Sequence, residues 1–391
     1  MQNAHDAFLK TRFFAGLDGL RCLSIVSVVA YHVMGHQSVA SRGYLGVSLF
    51  FAISGFLITT LLLRERDKVG HISVRGFFAR RALRIFPLYY AVLGLYALLV
   101  AFTEKDAATR GEFFQHLPSF LTYTSNWFVP RAPDKRVIFY FAWSLATEEQ
   151  FYLVWPLVMG LARRAWVPVA FMGGLLAVAL GAPLAVSAGW LEAGALGTRM
   201  LTSVSVSICL GCLAAHAAHS PSGFGRLYRV LGQSWSVPLF AVLLAGAALW
   251  RGCPSWLSSL VMTALVVATC IRERQPLSSL FSHAWVRYVG TVSYGVYLLH
   301  MLVLNAVRRA VPGQGVAVHL VLTLAVSVLA ATLSHRYFER WFLQLKDRFD
   351  WRGAPAKLPA PAPVRPAPAP RPHAPAHAEP APGVLVGLGE A

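Results

Sequence analysis

The sequence has 391 residues, of which 56% are hydrophobic and only 13% are charged, and its mean hydropathy is +0.54. This composition excludes an ordinary soluble domain and predicts a protein that resides in a membrane. In a soluble protein the formal net charge of +18 would suggest a nucleic-acid partner, but here most Arg and Lys residues lie in short loops between apolar stretches. We therefore interpret them as determinants of membrane topology and expect no nucleic-acid partner.

Stretches of about 20 mainly apolar residues recur along the chain, and each is long enough to cross a hydrocarbon core about 30 Å thick. They predict an all-α polytopic membrane protein with about ten transmembrane helices. The predicted spans lie at about 13–35, 44–63, 85–103, 141–160, 166–188, 200–218, 235–250, 255–271, 286–307 and 312–334. If the N-terminus is cytoplasmic, the inside connections hold more Lys and Arg than the outside ones, which predicts an N-in, C-in arrangement.

The chain divides into three parts by composition. Residues 1–12 are expected to form a short cytoplasmic N-terminus, and residues 13–345 a single membrane domain that carries the function. We expect the first apolar stretch to remain as a transmembrane helix rather than to be cleaved as a signal peptide. Residues 353–391 are dominated by Pro-Ala repeats with almost nothing able to build a core, which predicts a disordered cytoplasmic tail.

The first span contains three ionisable residues, Asp18, Arg21 and His32. Such residues cost about 2.5 to 3.5 kcal/mol each to insert at the centre of a membrane helix, so they are functional candidates. Arg21 and His32 are 11 residues apart, which places them on one helix face and about 16 Å apart along the axis. Asp18 can pair with Arg21, and a neutral imidazole can act as a general base toward a hydroxyl. The alternative is an interfacial Asp-Arg anchor and a histidine that only hydrogen-bonds a neighbouring helix.

A second group consists of Arg80, Arg81 and Arg84, at the start of the third span. Guanidinium groups bind phosphates with planar pairs of N–H donors, so this group suits a nucleotide-bearing donor such as coenzyme A. The alternative is the positive-inside rule, which by itself predicts arginine at a cytoplasmic helix end.

The third group is Glu148 and Glu149, which lie within an aromatic and otherwise apolar stretch. Adjacent residues of a helix point about 100° apart, so one carboxylate can face a cavity while the other faces a structural partner. The alternative is that Trp143, Trp155 and Tyr152 form an interfacial belt in which both glutamates are hydrated.

One further cluster resembles a zinc site by its spacing alone. Cys209, Cys212, His216 and His219 span ten residues, about 15 Å of continuous helix, so four ligands cannot converge on one tetrahedral ion. We therefore expect no metal.

Seven motifs follow one another in a fixed order over residues 12–345. They are LDGLR followed by ten residues and His32, GYLGVSLFF and ISGFL at 43–57, RRALR at 80–84, SNW at 125–127, WSL with EEQFY at 143–152, SYGVYLLH at 293–300 and YFER at 337–340. In this order they resemble the acyltransferase-3 family, bacterial membrane proteins that include O-antigen, exopolysaccharide and macrolide O-acyltransferases. Some members carry a fused periplasmic hydrolase-like domain, which we do not find in this sequence.

The resemblance implies ten core helices, an acyl donor taken from the cytoplasmic side, and an acceptor presented within or across the membrane. We expect acyl-CoA as co-substrate without a further cofactor, a carbohydrate, glycolipid or related cell-envelope hydroxyl as acceptor, and acetyl as the transferred group. Catalysis is assigned to His32, Arg21, Glu148 and Glu149, with a glutamate orienting His32 or the acceptor. The residues expected to bind substrate are Asp18, Arg80, Arg81, Arg84, Ser54, Asn126, Trp143, Tyr294 and Tyr297.

Two readings from other classes remain open at this point. In a transporter or flippase of an anionic or lipid-linked substrate, the same buried charges would line a permeation path. A family member without activity could instead act as an assembly component, although the arginine and histidine of the first span are both present. For the enzyme we expect the inner membrane of a bacterium as its location.

Overall fold

A computed structural model describes residues 2–11, 13–35, 41–130, 137–272 and 276–349. The regular elements within these residues are helical. The helices are α1 (Gln2–Lys10), α2 (Ala15–Met34), α3 (Leu45–Val69), α4 (Val74–Thr103), α5 (Ala107–Leu121), α6 (Ser125–Phe128), α7 (Trp143–Leu161), α8 (Trp166–Ser187), α9 (Leu196–Thr202), α10 (Val206–His219), α11 (Pro221–Leu231), α12 (Ser236–Leu249), α13 (Ser255–Ile271), α14 (Ser278–Ser282), α15 (Ala284–Ala310), α16 (Val316–Ser334) and α17 (Arg340–Lys346). The predicted tail at 353–391 lies outside the described residues.

The all-α membrane fold is confirmed, and a helix occupies each of the ten predicted spans. Within the described residues, six helices are long and apolar enough to cross a membrane, or up to eight if two bent pairs each count as one span. The bent pairs are α9 with α10, at 43°, and α11 with α12, at 72°. Two of the ten predicted spans are not among these eight. They correspond to α13, which has only 17 residues, and to α7, which carries the two glutamates.

The third predicted span began too late in the chain. The apolar pattern starts near residue 85, whereas α4 begins at Val74, and the Ser73 hydroxyl accepts a hydrogen bond from the Gly76 amide at 3.2 Å to cap it. Helix geometry continues through the three arginines because their side chains are long and keep their charged ends in polar surroundings. Arg80, Arg81 and Arg84 therefore lie inside this helix, within its first three turns.

Helix α3 lies at the centre of the bundle, where it packs against α2, α7, α10 and α13. Of its apolar window 72% is buried, against 17% for α8 and for the segment formed by α16 and α17. Large apolar side chains such as Leu184 and Val321 are exposed on those outer helices. In a membrane protein, exposed apolar faces of this kind face the lipid.

Two glycine contacts bring the central helices close together. A Cβ at Gly55 on α3 would overlap the Ile208 carbonyl of α10, and a Cβ at Gly290 on α15 would overlap the Asp18 carbonyl of α2. Small residues at helix crossings allow backbones to approach in this way. The second crossing fixes α15 directly beside the helix that carries Arg21 and His32.

Candidate active site

A cavity of about 350 Å³ lies among α2, α3, α4, α7 and α15. Nine of the thirteen residues predicted from the sequence line it. These nine are Arg21, Ser54, Arg80, Arg81, Arg84, Glu148, Glu149, Tyr294 and Tyr297. Residues separated by up to 276 positions in the chain thus share one chamber, which we call the arginine cavity.

The lining of the arginine cavity is rich in positive charge. Its six cations are Arg21, Arg64, Arg80, Arg81, Arg84 and Lys346, and its three acids are Glu65, Glu148 and Glu149. An excess of cations within low-dielectric walls attracts anions. The sequence analysis missed Arg64, Glu65 and Lys346 because all three lie outside the predicted spans, where the positive-inside rule accounts for the two cations without a site and an acid is not costly.

Two of these arginines are held by buried acids. Arg21 Nη1 lies 2.7 Å from Asp18 Oδ1, so the predicted pairing of these two residues is confirmed. Arg80 Nη2 lies 3.1 Å from Glu65 Oε2, and the side chain of Glu65 is only 1% exposed. Because Glu65 also accepts a hydrogen bond from the Ser73 amide at 3.0 Å, this pair fixes the end of α3 against the start of α4.

Arg81 and Arg84 are bound differently. The Arg81 guanidinium lies 4.8 Å from the centroid of the Tyr152 ring, a distance at which a cation interacts favourably with an aromatic face. Arg84 is exposed to the cavity and makes no hydrogen bond or ion pair with any residue that the structure describes. Its donors are therefore available to a ligand.

The two glutamates face the cavity together. Glu148 Oε1 accepts a hydrogen bond from Ser54 Oγ at 2.7 Å, and Ser54 Oγ in turn accepts one from Tyr152 at 3.0 Å. Glu149 makes no hydrogen bond within the described part of the chain. The hydroxyl next to Glu148 belongs to Ser54 on α3, and the orientation of His32 or the acceptor by one of the glutamates stays a prediction.

Tyr297 closes the cavity at the end away from the arginine cluster. Its hydroxyl donates to the Phe141 carbonyl at 2.9 Å, so the Ser144 hydroxyl, 2.6 Å away, donates to the Tyr297 oxygen. Both Ser144 and Tyr297 line the cavity. Beyond this closure, the ring of Tyr297 lies 5.6 Å, centroid to centroid, from the ring of His300.

The described residues that line the cavity do not include His32, which lies on the far side of Tyr297, next to His300. Its Nδ1 is 3.2 Å from Nε2 of His300, a residue of α15 that is fully buried. We call His32 and His300 the histidine pair. His300 stood in a recognised motif but received no role from the sequence, although a histidine inside an apolar span is a signal of function.

Two other predicted residues lie outside the cavity. Asn126 exchanges two hydrogen bonds with Gln150, both 2.9 Å long, and so joins α6 to α7. Trp143 begins α7 and packs edge-on against Phe51, with 6.2 Å between ring centroids. Their positions suit a supporting role for the wall that carries Glu148.

The zinc-like cluster lies along one continuous helix, α10, as the sequence analysis expected. His219 Nε2 lies 2.7 Å from Asp67 Oδ2 on α3, while the ring of His216 packs against Trp155. In the described residues, no group of three or more His, Cys, Asp or Glu side chains is arranged to hold a metal ion.

Both ends of the membrane domain contribute to the mouth of the arginine cavity. Arg64 donates to the Phe8 and Thr11 carbonyls and so fixes α1 beside the lining residues Phe13 and Phe14. The C-terminal part of the domain reaches the cavity through a π-helical turn at His335–Glu339, which joins α16 to α17. Lys346, the last residue of α17, lies in the lining.

A family model described as an acyltransferase domain matches residues 14–336, which include all five helices that form the cavity. The chain belongs to the acyltransferase 3 family. The resemblance drawn from the seven motifs is thereby confirmed, and the arginine cavity lies within the acyltransferase domain of a multi-pass membrane protein.

Three curated proteins similar to this chain carry O-acetyltransferase names. Peptidoglycan O-acetyltransferase OatA of Listeria monocytogenes is 28% identical over 88% of this chain and 60% of its own length. The provisionally named peptidoglycan O-acetyltransferase YrhL of Bacillus subtilis is 27% identical over 84% of this chain and 55% of its own. A provisionally named O-acetyltransferase of Staphylococcus aureus is 26% identical over 86% of this chain and 58% of its own.

The chain spans about three fifths of the length of the curated relatives it matches. No solved structure matches the chain.

Proposed function

We propose that this protein is a bacterial inner-membrane O-acyltransferase that moves an acetyl group from cytoplasmic acyl-CoA to a hydroxyl of a carbohydrate, glycolipid or related cell-envelope acceptor. The observation that carries the proposal is a cation-lined cavity whose inner end abuts the histidine pair, in which His300 is fully buried and His32 is half-buried. The names of all three relatives support acetyl as the group, and the word peptidoglycan in two of the names supports a cell-wall polymer as the acceptor.

The arginine cavity fits the anionic part of the donor. Coenzyme A carries its phosphates at one end and its thioester at the end of a long, flexible arm, so it needs a basic site and a narrow apolar path. Arg84 supplies N–H donors that no described residue uses, and Arg21 and Arg81 line the same wall. Under the N-in arrangement, which remains a prediction, this end of the cavity faces the cytoplasm.

The histidine pair fits the chemistry at the other end. In our proposal the ring of His32 takes the proton of the acceptor hydroxyl as its oxygen attacks the thioester carbonyl carbon. The carbon–sulfur bond then breaks, and the proton passes from His32 to the leaving thiolate to give free coenzyme A. A two-step path through an acyl-histidine has the same balance, with the acyl group resting on the ring nitrogen before transfer.

Tyr297 separates the two ends in this arrangement. Its hydroxyl and that of Ser144 form the closure between the cavity and His300. For the thioester to reach His32, the Tyr297 side chain has to move aside, which breaks the hydrogen bonds to Ser144 and Phe141. Closure of this kind keeps the thioester away from water until an acceptor is present.

The test is acetyl-CoA turnover by the purified, detergent-solubilised protein, with labelled acetyl and a cell-envelope extract as the source of acceptors. We expect free coenzyme A and a labelled carbohydrate product. His32→Ala should reduce turnover by about 10²- to 10⁴-fold, the usual contribution of a general base, while acetyl-CoA still binds. The matched control is His319→Gln, since within the described residues the side chain of His319 on α16 makes one local hydrogen bond, to the Gly315 carbonyl.

Two outcomes would contradict the proposal. Turnover that persists in His32→Ala, with normal membrane insertion, would remove His32 from the chemistry. Failure of the wild-type protein to bind any acyl-CoA would favour the transporter or flippase reading, in which the cavity lines a path for an anionic substrate.

A further inference from the structure

We propose that His300 is a positioning residue that holds the proton of His32 on Nδ1, so that Nε2 of the neutral His32 ring carries the lone pair used in the reaction. This inference rests on the proposed function, because it concerns how His32 is prepared as the base. It adds a second histidine, from the other side of the bundle, to the site described above.

The first observation concerns His300 itself. Its Nδ1 lies 2.5 Å from the Tyr297 carbonyl oxygen. A carbonyl oxygen only accepts hydrogen bonds, so Nδ1 of His300 must carry a proton. The residue is fully buried, with the Phe141 and Tyr297 rings 5.5 and 5.6 Å away between centroids. In such an apolar environment the neutral ring is the favoured form, which leaves a lone pair on Nε2.

The second observation concerns His32. Its Nδ1 lies 3.0 Å from the Val28 carbonyl oxygen and 3.2 Å from Nε2 of His300. Both of these neighbours are acceptors, so they are satisfied together only by an N–H on Nδ1 of His32, shared between them. With its proton on Nδ1, the neutral ring has its lone pair on Nε2.

The consequence is a chain of polarised groups from one helix to another. The Tyr297 carbonyl fixes the proton of His300, and His300 together with the Val28 carbonyl fixes the proton of His32. When His32 takes a proton from the acceptor, Nδ1–H becomes a stronger donor, and Nε2 of His300 stabilises the imidazolium without moving. A carboxylate has the equivalent task in a Ser-His-Asp triad, where the wrong histidine tautomer lowers turnover severely.

Packing of α2 against α15 makes this arrangement rigid. The crossing at Gly290 sets the separation of the two helices, and Arg308 of α15 donates to the His32 carbonyl at 3.3 Å. His32 and His300 are therefore held on both sides of their contact. A partner on a rigid element positions a functional group more accurately than one on a loop.

The experiment compares three substitutions at position 300. His300→Gln places an amide oxygen close to the position of Nε2, so an acceptor is kept. His300→Asn is shorter and keeps polarity without reaching that position, and His300→Leu keeps the volume with no acceptor. We expect turnover to fall about 10- to 100-fold in Leu and Asn, the range seen when the partner that orients a functional histidine is removed. The His300→Gln variant should keep most of the wild-type turnover, and the KM for acetyl-CoA should stay unchanged in all three variants.

The second readout is independent of turnover. Nitrogen-15 NMR of the histidine-labelled protein distinguishes a protonated Nδ1 from a protonated Nε2, and loss of signals in His32→Gln identifies those of His32. We expect the neutral His32 ring to carry its proton on Nδ1 in the wild type and in His300→Gln. In His300→Leu the population with a proton on Nε2 should rise, while His319→Gln leaves the His32 signals as they are.

Two results would overturn the inference: equal losses of turnover in Gln and Leu, or the same His32 tautomer in Leu as in the wild type. The NMR comparison also separates this inference from the proposed function. A wild-type protein without turnover would contradict the function, whereas the dependence of the His32 tautomer on position 300 would still be measured.

Discussion

The two ends of α2 carry contrasting chemistry. Near its start, Arg21 lines a cavity with six cations and three acids, in which Arg84 and Glu149 make no hydrogen bond or ion pair with the described residues. Near its end, His32 meets His300 in a contact surrounded by aromatic rings. Eleven residues separate the two, about 16 Å along the helix.

The contrast between the surroundings of Arg21 and those of His32 shows how α2 can contribute to both binding and reaction. Binding an anionic group requires charges that remain available, and these are tolerated because water can enter the cavity. Proton transfer requires a fixed tautomer, which the contact of half-buried His32 with fully buried His300 provides. Substitutions at the first end should therefore change affinity, and those at the second end should change rate.

Within the arginine cavity the largest expected effect concerns stability and not binding. Arg80→Met leaves Glu65 buried without its cation, and breaking a buried pair costs about 3–5 kcal/mol. Thermal unfolding in detergent should show the loss, and the double variant Glu65→Leu/Arg80→Met should recover part of it. Arg75→Met, on the exposed first turn of the same helix, is the control. An unchanged melting temperature would show that the Arg80–Glu65 pair does not hold α3 and α4 together.

Arg84 should behave in the opposite way. Because it makes no hydrogen bond or ion pair with the described residues, Arg84→Gln should leave the melting temperature unchanged. Loss of hydrogen bonds to a charged ligand costs about 1.5–3 kcal/mol, so the Kd for acetyl-CoA should rise about 10- to 100-fold. Calorimetric titration with acetyl-CoA measures this Kd, and the control is Arg164→Gln, in the exposed loop between α7 and α8. Equal affinity in both variants would place the donor elsewhere.

The smallest effect is expected at the other end of α2. Arg308 donates to the His32 and Val33 carbonyls, at 3.3 and 3.4 Å, and so neutralises the negative end of that helix. Arg308→Gln should cost about 0.3–1 kcal/mol of stability. Arg309→Gln, its exposed neighbour, should cost less, and unfolding curves of the two variants decide between them. A large loss of acetyl-CoA affinity in Arg308→Gln would contradict the assignment of donor binding to the other end of α2.

Much of the fold could be predicted from the sequence because apolar length and the position of charges reflect the membrane directly. The ten spans correspond to ten helical regions, and the Asp18–Arg21 pair followed from one turn of helix. Boundaries were less predictable at α4, where long arginine side chains allow a helix to continue past its apolar part. Nine of the thirteen candidate residues line one cavity. Six of the nine are charged, and a charged side chain within a membrane span is costly to insert, so it marks a functional site.

The amino-acid sequence was enough to predict a multi-pass helical protein of one family. It also singled out arginines, glutamates and a histidine as functional candidates, because charged and ionisable residues are rare within membrane spans unless they have a role. Tertiary structure alone decided that Glu148 meets Ser54, that Glu65 fixes Arg80, and that the partner of His32 is His300, 268 positions away. The physical reason is that helical periodicity reports which face of a helix is polar. Which other helix that face meets depends on the crossings of the bundle, and those are set by close contacts such as the one at Gly290.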